Sequence, residues 1–269
     1  MVRQGPARAG RLGCCTLRFE DGQAALPGGN DFGYMRRVGH RRYDRGAPDL
    51  VAAAAQSGHH GSMLRDITQI LTAATPMWPG DTAFSATRTW DYGPDCPVNV
   101  SAFSASTHAG THADAPLHYD PEGSGIDAVA LSAYIGIARV VDLRGCGPVV
   151  TPDMLAPALA TPCERILLRT YDRFPHDYWA ADFTTVAVDT IVHLAARRVV
   201  LVGIDSPSLD AQDSKTMDAH LAVRTAGMAI LEGLVLDDVE AGDYELIALP
   251  LKLGGLDAAP VRAVLRDLP

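Results

Sequence analysis

Three of the nine histidines in this chain of 269 residues fall within one eleven-residue segment, residues 108–118. An even spread would place about 0.4 histidines there. The segment reads His-Ala-Gly-Thr-His-Ala-Asp-Ala-Pro-Leu-His, so even steps separate His108, His112, Asp114 and His118. Even spacing puts side chains on one face of an extended backbone, whereas a helix would turn Asp114 away from His112. We therefore expect an extended segment with four ligand-forming side chains on one face.

Such a group of side chains has the composition of a metal site. Imidazole nitrogens and a carboxylate converging on one point are typical ligands of zinc and similar divalent ions. The Asp114 carboxylate has two oxygens, so it could bridge a second ion, and Gly110 would allow another backbone to approach closely. A single histidine is often an ordinary polar residue at a strand edge. Four potential ligands at this spacing favour the metal site.

Two polar residues farther along the chain are candidates to complete this site. His220 lies on a predicted short helix that places Met217, His220, Leu221 and Arg224 on one face. Glu232 lies in the apolar, strand-like run 227–234, where an unpaired carboxylate would cost several kcal/mol. A histidine among apolar neighbours is more often a core residue, and a salt bridge would stabilise the carboxylate as well as a metal would. The residues alone leave both roles open.

Short strands alternate with helices from residue 63 onward, which predicts an α/β core with at least part of the sheet parallel. A helix is expected to begin at Thr151-Pro152, with a capping hydroxyl followed by proline. A second helix is expected over 186–198, with Val188, Ile191, Val192 and Ala195 along one face. Runs of aliphatic residues predict strands over 139–143, 165–169, 199–204, 244–250 and 260–265.

Composition narrows the class of protein. A formal net charge of −9 argues against a nucleic-acid or anionic-membrane surface, and no apolar run reaches the roughly 18 residues of a membrane helix. The five cysteines are an odd number without a C-x-x-C pair, so neither a disulfide framework nor a thiolate zinc site is expected. We therefore expect a soluble cytoplasmic protein with no nucleic-acid or membrane partner.

Residues 1–62 differ from the rest of the chain. They carry nine arginines and five acids, a net charge of +4, which leaves −9 − 4 = −13 on residues 63–269. They are rich in glycine and lack sustained periodicity, a pattern that favours disorder. We expect a disordered or spurious extension at 1–62 and a catalytic domain at 63–269 that is independent of it.

Residues 108–118 match the signature H-x-G-T-H-x-D-x-P-x-H of the cyclase family without a mismatch. The flanking segments resemble those of the bacterial kynurenine formamidases, the arylformamidases of tryptophan breakdown. The resemblance covers about residues 63–266. The eleven-residue motif marks the broad family, and the segments around Trp78 and Ser206-Pro207 narrow it. The segments that carry the resemblance are 76–82, 203–210, 212–220 and 229–234.

This resemblance implies a fold, a metal centre and an assembly. The fold would be the swivelling β/β/α arrangement of the family, with a mixed sheet and flanking helices. The centre would hold two zinc ions, although manganese and cobalt also suit histidine and carboxylate ligands. The protein would form a homodimer. The implied ligands are His108 and His112 for the first ion, His220 for the second, and Asp114 with Glu232 for both.

The resemblance also implies an activity. The protein would hydrolyse N-formyl-L-kynurenine to L-kynurenine and formate, with His118 as proton donor and acceptor and Trp78 as a wall for the substrate ring. Two alternatives are a hydrolase of another aryl or cyclic amide, such as isatin, and an inactive metal-binding scaffold. A scaffold would need neither His118 nor Trp78. A serine triad of Ser206, His220 and Asp210 is disfavoured, because no G-x-S-x-G turn is present.

Overall fold

The computed structural model describes residues 63–269, which form thirteen strands and three helices. The expected extension at 1–62 lies outside the described residues. The helices are α1 (Pro152–Leu155), α2 (Val188–Ala196) and α3 (Asp218–Ala226). The strands are β1 (Leu64–Asp66), β2 (Ser85–Trp90), β3 (Val100–Ser104), β4 (His112–Asp114), β5 (Ile135–Asp142), β6 (Val149–Val150), β7 (Arg165–Arg169), β8 (Thr185–Val186), β9 (Leu201–Ile204), β10 (Ala229–Glu232), β11 (Gly242–Ile247), β12 (Ala258–Pro260) and β13 (Val264–Asp267).

Nine of these strands form one mixed, curled sheet in the order β1-β13-β11-β5-β7-β9-β10-β4-β12. The four neighbours β5, β7, β9 and β10 run parallel to one another, and every other pairing in the sheet is antiparallel. Parallel strands need crossover connections, and α2 and α3 supply two of them. The expected partly parallel α/β sheet is confirmed.

Apolar residues cover both faces of the sheet. In β7, Leu167 packs in one buried cluster and its neighbours Ile166 and Leu168 pack in another, as the two-residue period of a strand requires. All five β7 residues are buried, which explains its continuous aliphatic sequence. The cluster around Ile166 also contains Ile191 of α2 and Val223 of α3, so both helices lie on that face.

Several predicted elements need correction. The strand expected over 260–265 is two strands, β12 and β13, which pair with different neighbours. In α2, Ile191 and Leu194 are buried, whereas Val188 and Val192 are 40 % and 58 % exposed, so the predicted apolar face is rotated. The helix start after Thr151 is confirmed. No helix within 63–269 is both long and apolar enough to cross a membrane.

Candidate metal centre

Residues 108–118 are not extended throughout, and here the sequence prediction is wrong. Only His112 and Asp114 lie on a strand, β4, whereas His108 lies in a preceding turn and His118 ends a 3-10 helix, Pro116–His118. Gly110 bends the chain at φ +62°, and the proline begins the helical turn. The four side chains still approach one another, because the chain folds back at both ends of β4.

Strand pairing places Glu232 beside the motif. β4 and β10 are antiparallel with His112 opposite Glu232, so these two side chains project from the same face. His112 Nε2 lies 3.5 Å from Glu232 Oε2 and 3.4 Å from Asp114 Oδ1. The other Glu232 oxygen accepts a hydrogen bond from the Leu209 backbone N–H at 2.8 Å. The carboxylate therefore sits in the apolar sheet with partners on both oxygens.

His220 enters from the first turns of α3. Its Nε2 lies 3.4 Å from Asp114 Oδ2 and 3.5 Å from Glu232 Oε1. The buried residues of α3 are Ala219, His220 and Val223, so His220 faces inward as predicted, but the rest of the predicted face is wrong. The Asp210 carboxylate accepts the backbone N–H groups of residues 219 and 220 at 3.0 Å and so anchors the helix start.

Hydrogen bonds fix the tautomers of both buried imidazoles. His220 Nδ1 lies 2.6 Å from Asp210 Oδ2, and His112 Nδ1 lies 2.9 Å from the Gly110 carbonyl oxygen. A carbonyl or carboxylate oxygen only accepts, so each Nδ1 is a donor there. In the neutral rings the lone pair is then on Nε2, which faces the carboxylates. Such outer hydrogen bonds are the usual means by which proteins orient histidine ligands.

Four buried polar atoms at this point have no hydrogen-bond partner among the described residues. They are His112 Nε2, His220 Nε2 and both carboxylate oxygens of Asp114. Their contacts, 3.1 Å between Asp114 Oδ1 and His108 Nδ1 and 3.4–3.5 Å for the others, are close enough for ion pairing but do not meet hydrogen-bond geometry. Unsatisfied buried groups cost about 1–3 kcal/mol each, more when charged. Two oriented nitrogens and a bridging carboxylate fit divalent metal ions, so the residues present suit the predicted centre.

Contacts between the imidazoles and the carboxylates shift the pKa values of both kinds of group. Burial disfavours a charged imidazole, but contacts with Asp114 and Glu232 outweigh it and raise the pKa of His112 to about 10. Burial likewise opposes ionisation of Asp114, but its contacts with three histidines lower its pKa well below the ordinary range. The carboxylates are therefore ionised, and a metal would have to displace protons from the imidazoles. Metal affinity should consequently rise with pH.

His108 and His118 lie at the open side of the centre, together with Asp257. His108 Nδ1 lies 3.1 Å from Asp114 Oδ1, and His108 Nε2 lies 3.0 Å from Asp257 Oδ2. His118 Nδ1 lies 3.6 Å from the same Asp257 oxygen, and its side chain is 29 % exposed. Ligand atoms of His118, Asp114 and His220 are also close enough together to bind one ion. The position of His118 is therefore compatible with a metal ligand as well as with a proton carrier.

Asp257 is a site residue that sequence reasoning missed. It directly precedes β12, whose pairing with β4 brings the carboxylate to His108 and Thr107. In the sequence it is a single acid after Gly254-Gly255-Leu256, far from the histidine motif. The sequence signal that could have indicated Asp257 is an acidic residue between a glycine-containing turn and a predicted strand near the end of the chain.

A close backbone contact between Gly110 and Gly233 requires glycine at position 233. A Cβ atom on Gly233 would lie 2.6 Å from the Gly110 carbonyl oxygen, and Gly233 adopts φ +65°. The predicted close approach of another backbone to Gly110 is therefore present. Thr111 strengthens the same junction by donating its hydroxyl to the Gly233 carbonyl at 2.6 Å. The junction holds β4 and β10, and hence their ligands, in register.

An aromatic cavity of about 530 Å³ opens onto the centre. Trp78 lines it, as predicted, and lies 5.4 Å from Trp179 in an edge-to-face arrangement. Trp179 also lines the cavity and donates its indole N–H to Gln212 at 2.6 Å. Sequence analysis did not predict this role for Trp179. The size and lining are those of a small-molecule site.

The disfavoured serine triad does not form. The Ser206 hydroxyl donates to the Ser208 carbonyl at 3.0 Å and forms no hydrogen bond with His220 in the described structure. Asp210 does contact His220, but it orients a nitrogen toward the carboxylate pair. Pro207 lies in the cavity wall.

Asp205 is a buried carboxyl in the same wall, 2 % exposed. Burial raises its pKa to about 6, although it accepts hydrogen bonds from the Thr170 hydroxyl and the backbone N–H groups of residues 170 and 171. Because the folded pKa exceeds the ordinary 3.8, its contribution to stability is fully present below about pH 3.8 and is lost as the pH rises through about 6.

We therefore expect the stability of the native chain relative to Asp205→Asn to depend on pH. Raising the pH from 4.5 to 7.5 should lower the wild-type free energy of unfolding by about 2 kcal/mol relative to the variant. Urea unfolding of both proteins at each pH measures this difference. A difference independent of pH would show that Asp205 stays ionised throughout, and our account of its burial would be wrong.

Comparison with known proteins identifies the family to which this chain belongs. The model of the family described as "Putative cyclase" matches residues 65–211, more than half of the chain. The chain belongs to the cyclase family. The predicted membership is thus confirmed, and the matched segment contains the motif at 108–118 together with Trp78, Asp205 and Asp210. His220, Glu232 and Asp257 lie beyond the matched segment.

Solved structures of the family share the fold. One, "The Structure Of Potential Metal-Dependent Hydrolase With Cyclase Activity", is 29 % identical at TM-score 0.67 and covers 77 % of this chain and 98 % of its own. A predicted metal-dependent hydrolase from Bacillus stearothermophilus is 30 % identical at TM-score 0.66, with coverage of 77 % and 98 %. Isatin hydrolase A from Ralstonia solanacearum is 23 % identical at TM-score 0.69, with coverage of 84 % and 100 %, and shows the fold alone. The predicted cyclase-family fold is confirmed.

Proposed function

We propose that this protein is a metal-dependent amide hydrolase that converts N-formyl-L-kynurenine to L-kynurenine and formate. One observation carries the proposal: two oriented imidazole nitrogens and two buried carboxylates converge at the floor of an aromatic cavity, with a half-exposed histidine at its side. The similarity to two metal-dependent hydrolases at 29 % and 30 % identity supports the reaction class. The homodimer and the cytoplasmic location stay predictions.

The proposed ligands are those of the predicted centre: His108 and His112 for one ion, His220 for the other, and Asp114 with Glu232 for both. Bound divalent ions would supply a hydroxide nucleophile at neutral pH and polarise the formyl oxygen. The donor set contains nitrogen and oxygen only, which suits zinc and also manganese or cobalt. Two zinc ions remain our proposal.

His118 is the proposed proton carrier. Burial lowers its pKa, and neighbouring His108 lowers it further, against the opposing effect of Asp114. The ring is therefore neutral near pH 7 and can accept a proton from the attacking water. As the C–N bond breaks, the same proton passes to the arylamine nitrogen, and formic acid leaves with the new C–O bond and ionises to formate. Asp257, 3.6 Å from His118 Nδ1, can orient the ring during both transfers.

The aromatic walls would hold the substrate ring. Trp78 and Trp179 both line the cavity, and aromatic walls of this kind favour the packing of another aromatic ring. Hydrophobic contact with Phe174 and Met217 would exclude water from the other sides. An inactive scaffold, the least specific alternative, accounts for neither this cavity nor the position of His118.

A second candidate is hydrolysis of an uncharged cyclic aryl amide such as isatin. No lysine or arginine lines the cavity in the described part of the chain, so neither an ammonium nor a guanidinium group there pairs with the α-carboxylate of formylkynurenine. A neutral substrate needs none. This observation favours isatin-like amides within the same chemistry.

Turnover of the two substrates by the purified full-length protein tests the proposal. We expect formate release from N-formyl-L-kynurenine, with kcat/KM above that for opening of the isatin ring. No formate release above background would refute the leading function. Faster turnover of isatin would establish the second candidate and would leave the metal-dependent hydrolase class intact.

A further inference from the structure

The side chain of Gln69 remains without a role in the function proposed above. It is 8 % exposed, and it lines the aromatic cavity. Within residues 63–269 its carboxamide forms no hydrogen bond with another side chain or with the backbone, although its own backbone N–H is bonded. Neither amide atom is among the fully buried side-chain atoms of residues 63–269 that lack a partner, so the carboxamide is open to the cavity, where a bound ligand can supply the hydrogen bond that amides in protein interiors normally have.

The position of Gln69 is fixed relative to the metal ligands. Its backbone N–H donates to the Thr111 hydroxyl at 2.8 Å, and that hydroxyl donates to the Gly233 carbonyl at 2.6 Å. Thr111 precedes His112, and Gly233 follows Glu232. One chain of hydrogen bonds thus connects Gln69 to both strands that carry ligands.

The carboxamide itself lies beside the centre. Gln69 Oε1 is 3.3 Å from the point that a Cβ of Gly110 would occupy, and Gly110 also lines the cavity. The Gly110 carbonyl oxygen accepts the hydrogen bond from His112 Nδ1. The amide is therefore next to the residue that orients a ligand, where the reacting end of a substrate would lie.

The cavity wall also carries neutral donors in the indole N–H of Trp78 and the hydroxyls of Tyr171, Tyr178 and Ser208. The Tyr171 hydroxyl is buried, and the Ser208 hydroxyl accepts the backbone N–H of Asp210 but keeps its own proton to donate. Gln69 is the only carboxamide among the described lining residues. It offers N–H donors without adding a charge.

We infer that Gln69 is a specificity-determining residue whose side-chain N–H donates a hydrogen bond to a second carbonyl group of the substrate, ortho to the amide nitrogen. This inference rests on the proposed aryl amide hydrolysis and names its substrate class: aryl amides with an ortho carbonyl. The ketone of formylkynurenine and the ketone of isatin both meet that description. Simple anilides do not.

The test compares two formamides that differ only in the ortho carbonyl, 2-formamidoacetophenone and formanilide. We expect Gln69→Met, which keeps the side-chain length but has no donor, to lower the ratio of their kcat/KM values about tenfold. Gln69→Glu also lacks a donor and should lower the ratio at least as far. Gln212→Met is the matched control: it disturbs the Trp179 wall, so it should affect both substrates equally and preserve the ratio.

A binding measurement separates this inference from the proposed function. Quenching of tryptophan fluorescence by 2-aminoacetophenone and by aniline gives an affinity ratio that needs no turnover. We expect that ratio to fall about tenfold in both Gln69 variants. If the wild type hydrolysed neither formamide, the proposed function would fail, and the affinity ratio would still decide the role of Gln69. Folded Gln69 variants with wild-type ratios in both measurements would overturn the inference.

Discussion

Replacing His118 by alanine should lower kcat by about 10²- to 10⁴-fold and leave the metal content unchanged. His118 approaches the centre from outside the buried ligand pair, with 29 % of its side chain exposed, and Asp257 rather than the carboxylate pair is its nearest acidic neighbour. A proton carrier needs this access to the cavity. The loss should appear in kcat because proton transfer assists the transition state, whereas the aromatic walls bind the ground state.

His193→Ala is the matched control for this variant. His193 lies on α2 and contacts Arg197, away from the cavity lining, so its removal should leave both turnover and metal content at wild-type values. Single-turnover kinetics and elemental analysis of both variants give the two readouts. If His118→Ala lost an ion, His118 would be a ligand. The proton carrier would then have to be a water or another side chain.

Local sequence signals predicted the elements that are fully buried. Arg165–Arg169 is a strand over its predicted length, since a central parallel strand is apolar on both faces and therefore reads as one aliphatic run. Glu232 stood out for the related reason that a carboxylate in such a run requires a partner. The motif residues His112 and Asp114 share a face because β4 gives them strand spacing.

The site residues that the sequence did not reveal are positioned by contacts between elements that are far apart in the chain. Asp257 reaches His108 because β12 pairs with β4, although the two residues are separated by 149 positions. The Asp210 carboxylate anchors the start of α3 by accepting hydrogen bonds from the backbone N–H groups of residues 219 and 220. Helix propensity does not predict such a contact across a loop. Helix faces were also misjudged, because helical spacing alone does not say which stripe meets the sheet.

His112→Ala should remove metal and activity together. Within residues 63–269, His112 Nε2 is one of two oriented imidazole nitrogens that face Asp114 and Glu232 from buried positions, and its removal leaves those carboxylates with fewer neutralising partners. We expect about two zinc ions per wild-type chain by elemental analysis, fewer than one in the variant, and kcat/KM lower by at least about a hundredfold.

Thermal unfolding separates loss of metal from loss of fold in this variant. Adding zinc at about a hundred times its dissociation constant to chelator-treated wild type should contribute roughly 2.7 kcal/mol. That raises Tm by about 5–10 °C for a domain of this size. His112→Ala should show a much smaller rise, with Tm otherwise close to that of the metal-free wild type. A variant that kept two ions, or a wild-type protein with a single ion, would show that the ligands have been misassigned, and a wild-type protein with mainly manganese would show that zinc is the wrong metal.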